Sequence, residues 1–332
     1  MGKVVVVTGA GAGVGRATVR AFAQAGYDVG LIGRDPVRLE AAAAEVRAHG
    51  RRAHVSPLDV SDADAVGRAA DDIDQVLGPI DVWVNNAMAT VFAPVADTAP
   101  EEVRRGTEVT YLGTVHGTMA ALRHMRPRRR GRIINVGSAL VYRSVPLQAV
   151  YCGAKAAIRG FTDSLRSELL HDKLDITLTM VHLPAVNTPQ FDWALNKTGR
   201  KAMPVPPVYQ PEVPVRAILF AATHDRREIW VGLPTVVAIL ANRVAPGLVD
   251  RKLARVGYEG QMADEPRPND APDNLWKPVP GHQEAHGRFD RVARSASWEM
   301  FTDRHKSALV ALAAGAAGVL GLHMLAKKLD IR

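Results

Sequence analysis

The sequence predicts an α/β protein built on one doubly wound parallel sheet. Three observations carry that reading. Short β-branched apolar runs alternate strictly with longer amphipathic ones over roughly the first two-thirds of the chain. The short runs are apolar at nearly every position, as strands covered on both faces must be. A glycine-rich string joins the first of these runs to the first amphipathic segment. Strict alternation implies βαβ crossovers, which place helices on both sides of the sheet.

Taken in order, "KVVVVTG", "DVGLIG", "RAHVSPLD", "IDVWVNN", "GRIINVGS" and "DITLTMVHLP" read as strands. Between them "GRATVRAFAQAG", "DPVRLEAAAAEVRAHG", "DADAVGRAADDIDQVLG", "PEEVRRGTEVTYLGTVHGTMAALRHM" and the stretch around Tyr151 carry helical spacing. After "LPAVNTPQF" comes "GRKAMPVPPVYQPEVP", too rich in proline for helix or central strand. It is expected to form a substrate lid over about 184–214. The apolar "PVRAILFAAT" then predicts a helix, and "REIWVG" a last strand. This organisation assigns 1–245 to a catalytic domain, 246–303 to an extended proline-rich tail and 304–332 to an apolar helix.

The stretch from Ala308 to Ala326 carries no formal charge and is flanked by Arg304, Lys306, Lys327 and Lys328. Gly315, Gly318 and Gly321 leave one side of such a helix bare enough for close packing. Membrane contact through 308–326 and packing on the protein or across a dimer are both open readings. The chain enters its first strand with no charged and apolar leader and holds a single cysteine, Cys152, so a reducing cytoplasmic setting is expected. The C-terminal helix would then attach it to the cytoplasmic face of the membrane.

At 332 residues, 47% hydrophobic and 23% charged, the chain can bury a substantial core. The formal charge of +8 raises nucleic acid as a partner. However, the densest basic run, "RHMRPRRRGR" from Arg123 to Arg132, has no interleaved aromatics, so no nucleic-acid partner is expected. No metal site is expected either: "GHQEAHG" sets His282 and His286 four apart, but flanking glycines argue against a helix. Cys152 reads as a small packing residue. Trp276, Trp298 and Phe301 read as anchors that pin the tail to the main domain.

"VVVVTGAGAGVG" places Thr8, Gly9, Gly13 and Gly15 where a strand turns into a helix. A pyrophosphate needs this arrangement, because glycines admit it close to the backbone while unpaired N–H groups and the helix dipole face its charge. At the end of the second strand, "LIGRDP" offers Arg34, which favours a 2'-phosphate. NADP(H) is therefore the expected cofactor. Asp35, next along, offers a ribose hydroxyl a carboxylate and keeps NAD(H) as the alternative.

In "YCGAK", Tyr151 and Lys155 share one face of a helix. A phenol in water has a pKa of about 10, and a neighbouring ammonium draws it down toward a range useful for proton transfer. Ser138, ending the strand "GRIINVGS", is placed to meet the same substrate oxygen.

With "TGAGAGVG", "LDV", "NNAM", Ser138 and "YCGAK" in this order, residues 3 to 235 resemble the short-chain dehydrogenase/reductase family and its Rossmann fold. The resemblance implies that Ser138 orients a substrate carbonyl and that Tyr151 is the general acid or base. Lys155 would bind the nicotinamide ribose and tune the phenol. It implies a cofactor cradle of Thr8, Gly9, Gly11, Gly13, Val14 and Gly15, with Asp59 and Val60 by the adenine. Asn85, Asn86 and Ala87 would lie toward the ribose and central sheet, and Pro184 and Thr188 near the carboxamide. Thr110 stands where the family carries an active-site asparagine and is taken as the fourth catalytic residue. Met88 replaces a glycine of the family's "NNAG", and Ala185 follows Pro184 in place of glycine. The family's habit implies a homodimer through the helices of "TYLGTVHGTMAAL" and "YCGAKAAIRGF".

The expected activity is the interconversion of a carbonyl and an alcohol on a small, hydrophobic molecule, leaning toward reduction. The alternative is a membrane-tethered dinucleotide-binding scaffold with little turnover.

Overall fold

The computed structural model describes residues 2–268, 270–281 and 284–297. The segment 304–332, together with His282, Trp298 and Phe301, lies outside the described residues.

The chain begins with β1 (Val4–Thr8), α1 (Gly13–Gln24), β2 (Asp28–Gly33), α2 (Pro36–Ala48), β3 (Ala53–Pro57), α3 (Ala63–Leu77) and β4 (Ile80–Asn85). A two-residue strand, β5 (Val91–Phe92), precedes α4 (Pro100–Thr107), a π-helical turn (Glu108–Leu112) and α5 (Gly113–Met125). Then follow β6 (Arg130–Ser138), α6 (Ala149–His171) and β7 (Asp175–Leu183). The remainder comprises α7 (Gln190–Trp193), β8 (Leu195–Asn196), β9 (Arg200–Ala202), α8 (Glu212–Ala221), β10 (Glu228–Trp230), α9 (Leu233–Val244), α10 (Pro246–Val256) and β11 (Met262–Pro266).

Seven strands form one parallel sheet in the order β10-β7-β6-β4-β1-β2-β3. The order reverses at β1, between β2 and β4, so a crevice opens beyond the carboxyl ends of β1 and β4. Val4, Val5, Val6 and Val7 are at most 1% exposed, which is why the run has no alternation. Each such side chain contributes roughly 2 kcal/mol through burial. Two apolar clusters, one on each face of the sheet, form the core.

The sheet centre also holds a polar network. Asn85 Nδ2 donates to Asn135 Oδ1 (2.9 Å) and Thr118 Oγ1 (3.0 Å), Trp83 Nε1 donates to Asn85 Oδ1 (2.8 Å), and Asn135 Nδ2 donates to Thr162 Oγ1 (3.0 Å). It ties β4 and β6 to α5 and α6, and Gly117 makes room for it, since a Cβ there would sit 2.2 Å from Asn85 Oδ1. The buried polar groups satisfy one another, as the low dielectric requires.

Several expectations about the chain after β4 change. The single long helix expected over "PEEVRRGTEVTYLGTVHGTMAALRHM" is broken by the π turn at 108–112. The lid is not irregular throughout: β8 pairs with β5, and β9 pairs antiparallel with β11 from the tail. The tail predicted as extended from 246 opens with α10, because "PGLVDRKLARV" has proline at its first helical position and helical apolar spacing. The tail does pack on the main domain, with Leu275 and Ala285 buried in the two core clusters. Leu275, not the exposed Trp276, anchors this stretch.

Much of the basic run has partners close by. Arg123 pairs with Asp71, Arg126 with Asp172 and Arg132 with Asp225, while Arg128 donates to backbone carbonyls.

Candidate active site

At the carboxyl ends of β1, β4 and β6 lies a cavity of about 520 Å³. One wall is the turn from β1 into α1. Gly9 and Gly13 have φ of +67° and +55°, in the left-handed region where only glycine is unstrained. A Cβ on Gly9 would come 2.9 Å from Ala87 Cα. Helix α1 starts at Ala12, which has no side chain to cap the first turn. The N–H groups of such a turn suit an anion, although that of Gly13 is already taken by the Glu284 carbonyl at 3.0 Å. By contrast, α2 is capped by Asp35, whose Oδ1 accepts from Val37 N (3.0 Å) and Arg38 N (3.2 Å). That cap, not a ribose hydroxyl, is what Asp35 serves in the structure.

Thr8 and Gly15 shape the cradle from behind rather than lining it. Thr8 Oγ1 accepts from Asn86 N (3.0 Å) and Ala87 N (3.1 Å), which joins the ends of β1 and β4. Gly15 packs so close beneath Gly9 that a Cβ would lie 2.0 Å from the Gly9 oxygen. Gly9, Gly11, Gly13, Val14, Arg34, Asp59, Val60, Asn86 and Ala87 face the cavity. Asn85 does not: its amide is committed to the buried network described above.

On the opposite wall stand Ser138, Tyr151 and Lys155. Ser138 ends β6, and its Oγ accepts from Leu140 N at 3.1 Å. Tyr151 and Lys155 lie one turn apart in the first half of α6, with Lys155 Nζ 5.7 Å from the Tyr151 ring centre. Lys155 is 2% exposed and donates to the Val136 carbonyl at 2.5 Å. Burial brings its ammonium down to about 8. Burial also raises the Tyr151 phenol well above the usual range, and the hydrogen bond with Ser138 only partly reverses this. The direction is opposite to the one expected from Lys155 alone, because desolvation of the phenolate is the largest influence on the buried ring. Cys152, between them, is buried and its thiol is pushed up, which leaves it a packing residue.

Thr110 does not reach the cavity. Fully buried within the π turn, its hydroxyl donates to Ala89 O and accepts from Ala89 N, both at 3.0 Å. It therefore braces the segment after β4 from within the helix kink, and its neighbour Val109 is the one that lines the cavity. Met88 lines it as well, occupying space a glycine would leave open.

The end of the crevice beside β2 is roofed by the tail. Arg34 donates to the carbonyls of Asn274 (2.5 Å), Trp276 (3.2 Å) and Leu275 (3.3 Å). Arg38 Nε donates to Gly281 O (3.3 Å), another of its nitrogens bonds Val279 O, and its guanidinium stacks 4.8 Å from the Trp193 ring centre. Gly13 N donates to Glu284 O at 3.0 Å. Burial pushes the Asp59 carboxyl up, but hydrogen bonds from Arg105 and Ser61 overcome this and hold it below the usual range. Arg105 in turn donates to Leu275 O at 3.0 Å.

Thr188 and Pro184 reach the cavity from the end of β7, and a Cβ on Gly13 would touch Thr188 at 3.4 Å. The adjoining Asn187 is held by Asp290, which accepts from its Nδ2 at 2.8 Å, and by Phe289 N, which donates to its Oδ1 at 3.0 Å.

Sequence reasoning missed Arg38, Arg105 and the tail segment that meets them. The signal for Arg38 is its place four residues after Arg34. Nothing local announces Arg105 or the roof. It also missed His182, fully buried behind Ser138, with Nδ1 3.2 Å from the Ser138 carbonyl and Nε2 3.4 Å from Glu228. His286 sits between Glu212 (2.8 Å) and Asp290 (3.0 Å). Among the described residues no group of three or more His, Cys, Asp or Glu could hold a metal ion. Among them also, no helix is long and apolar enough to cross a membrane.

Fold and crevice together define a nucleotide-binding α/β protein of the Rossmann type. Residues 3–198 match the family model for short chain dehydrogenases. The chain is 32% identical over 266 residues to the uncharacterized oxidoreductase YxnA of Bacillus subtilis, covering 80% of this chain and 75% of that protein. A fatty acyl-CoA reductase of Acinetobacter baylyi is 27% identical over 259 residues, 77% of this chain and 84% of that protein. Among solved structures, an alcohol dehydrogenase from the archaeon Thermococcus sibiricus complexed with 5-hydroxy-NADP superposes with a TM-score of 0.59. It is 26% identical, and the match covers 69% of this chain and 95% of that one. The chain belongs to the short chain dehydrogenase family of oxidoreductases.

Proposed function

We propose that this protein is an NADP(H)-linked reductase that converts the carbonyl of a hydrophobic molecule to an alcohol. The observation that carries the reading is the meeting of Ser138, Tyr151 and Lys155 on one wall of a cavity whose other wall is a glycine cradle. The residues present fit a dinucleotide: Gly9, Gly11 and Val14 would take the pyrophosphate, joined by Gly13 once its N–H leaves the Glu284 carbonyl, Arg34 would take the 2'-phosphate, and Lys155 the nicotinamide ribose. When bound, the nicotinamide supplies the hydride.

Ser138 donates a hydrogen bond to the substrate oxygen, which orients and polarises the carbonyl. Tyr151 gives that oxygen its proton as the alcohol forms and takes it back in the reverse direction. A phenol kept protonated by its surroundings is in the right state to act as an acid. Lys155 stabilises the phenolate that results. Met203, Pro204, Val205 and Pro206 supply an apolar side to the cavity, and the likeness to a fatty acyl-CoA reductase supports an aliphatic substrate. The protein is a homodimer in this reading, and Met119 on α5 and Leu170 on α6, 61% and 73% exposed, are apolar surface for the contact.

Tyr151→Phe removes only the transferable proton. Turnover against a panel of aliphatic aldehydes and ketones should fall about 10²–10⁴-fold while NADPH binding, followed by cofactor fluorescence, stays within a few-fold. Near-normal turnover in the variant contradicts the mechanism. Cofactor binding by the wild type with no turnover on any carbonyl would favour the scaffold instead.

A further inference from the structure

Helices α9 and α10 pack against each other and both contribute residues to the cavity wall, and their surface is unusual for a water-facing one. On α9, Leu233, Val237, Leu240 and Val244 follow one another at helical spacing and are between 48% and 84% exposed. Leu248 and Val256 on α10 are 65% and 51% exposed. The opposite side of α9 is occupied, since Thr235 and Ile239 are buried. The apolar stripe is therefore surplus to the core, and contiguous exposed apolar surface of this kind marks a contact site.

Two further facts indicate the partner. Between Leu233 and Tyr258 the pair carries exposed Arg251, Lys252 and Arg255, besides Arg243, which stacks over Tyr142 and Trp230, against a single carboxylate, Asp250, which is paired to Arg143 at 2.6 Å. An apolar stripe bordered by cations matches the boundary between acyl chains and anionic headgroups. A second copy of the same face would set those cations against each other. In addition, the cavity reaches the surface here: Val205 and Val256 both line it and are exposed, and Pro234, Ala238 and Leu253 continue its wall.

We propose that the face formed by α9 and α10 docks on an anionic lipid bilayer without spanning it, with the cavity mouth opening into the acyl layer. Delivery of an apolar carbonyl through that mouth rests on the proposed function, whereas the docking does not.

The test uses the full chain bearing Leu240→Cys, or Val37→Cys on the distant helix α2, labelled with an environment-sensitive nitrobenzoxadiazole. The native Cys152 is 2% exposed and takes no label. With vesicles of phosphatidylcholine and phosphatidylserine, emission from position 240 should shift blue and be quenched by spin-labelled acyl chains. Emission from position 37 should not change. Adding Val237→Glu and Val244→Glu should weaken the effect at 240 roughly tenfold or more. No shift at 240 with either phosphatidylcholine or mixed vesicles overturns the proposal. So does a lipid-independent shift that grows with protein concentration, which identifies a second copy as the occupant. A label already blue at every concentration and indifferent to vesicles overturns it too, and identifies the protein's own C-terminal segment. Because the readout does not involve turnover, its failure leaves the reductase reading standing.

Discussion

At the scale of single residues, Lys155 is where burial and chemistry conflict most openly. Its ammonium is held to about 8, against 10.5 for the unfolded side chain, by desolvation. A base whose folded pKa is depressed is bound more tightly by protons in the unfolded chain, so it costs folding free energy below pH 8. That cost fades as pH rises from 8 to 10.5. The shift corresponds to roughly 3 kcal/mol. Lys155→Met, which keeps the volume, should therefore be more stable than wild type in urea denaturation at pH 7, by up to about that amount. The gap should shrink at pH 10. A gap independent of pH would show that the ammonium is not the source.

At the scale of elements, the junction of β1 and α1 depends on the absence of a side chain at one point. Gly15 sits against the Gly9 carbonyl and the Asn86 amide, where a Cβ would lie 2.0 Å and 2.6 Å away. The nearest atom is backbone, so the conflict is relieved only by moving the helix start that forms the cradle. Gly15→Ala should cost about 1–3 kcal/mol in thermal or urea unfolding and weaken dinucleotide binding at least about tenfold by fluorescence titration. Retention of both would place the helix start elsewhere. The π turn at 108–112 belongs to the same scale. Within it the Thr110 hydroxyl makes two bonds to Ala89 and ties the turn to the segment after β4.

At the scale of the whole molecule, the tail is part of the crevice. Arg34 donates to three consecutive carbonyls of 274–276, and Leu275 fills the core beneath them. Arg34→Met should remove these bonds and accelerate amide exchange over 273–281 by about tenfold or more. In the same variant NADPH binding should weaken more than NADH binding, since only the former brings a 2'-phosphate. Exchange unchanged at 273–281 would mean that Leu275 alone holds the roof.

The parallel sheet, its glycine turn and the convergence of Tyr151 with Lys155 were readable from residue order, because apolar runs, glycine turns and helical spacing are local signals that neighbours in the chain express directly. Which of the candidates face the crevice was not. Asn85 and Thr110 were read toward the cofactor and the chemistry, yet one turns into the sheet's polar network and the other into a helix kink. The direction of the Tyr151 shift, the arginine-bound roof of 274–281 and the apolar face of α9 and α10 came only with the folded chain. Each depends on segments far apart in sequence meeting in space, where burial sets the cost of a charge and neighbouring carbonyls decide what an arginine can hold.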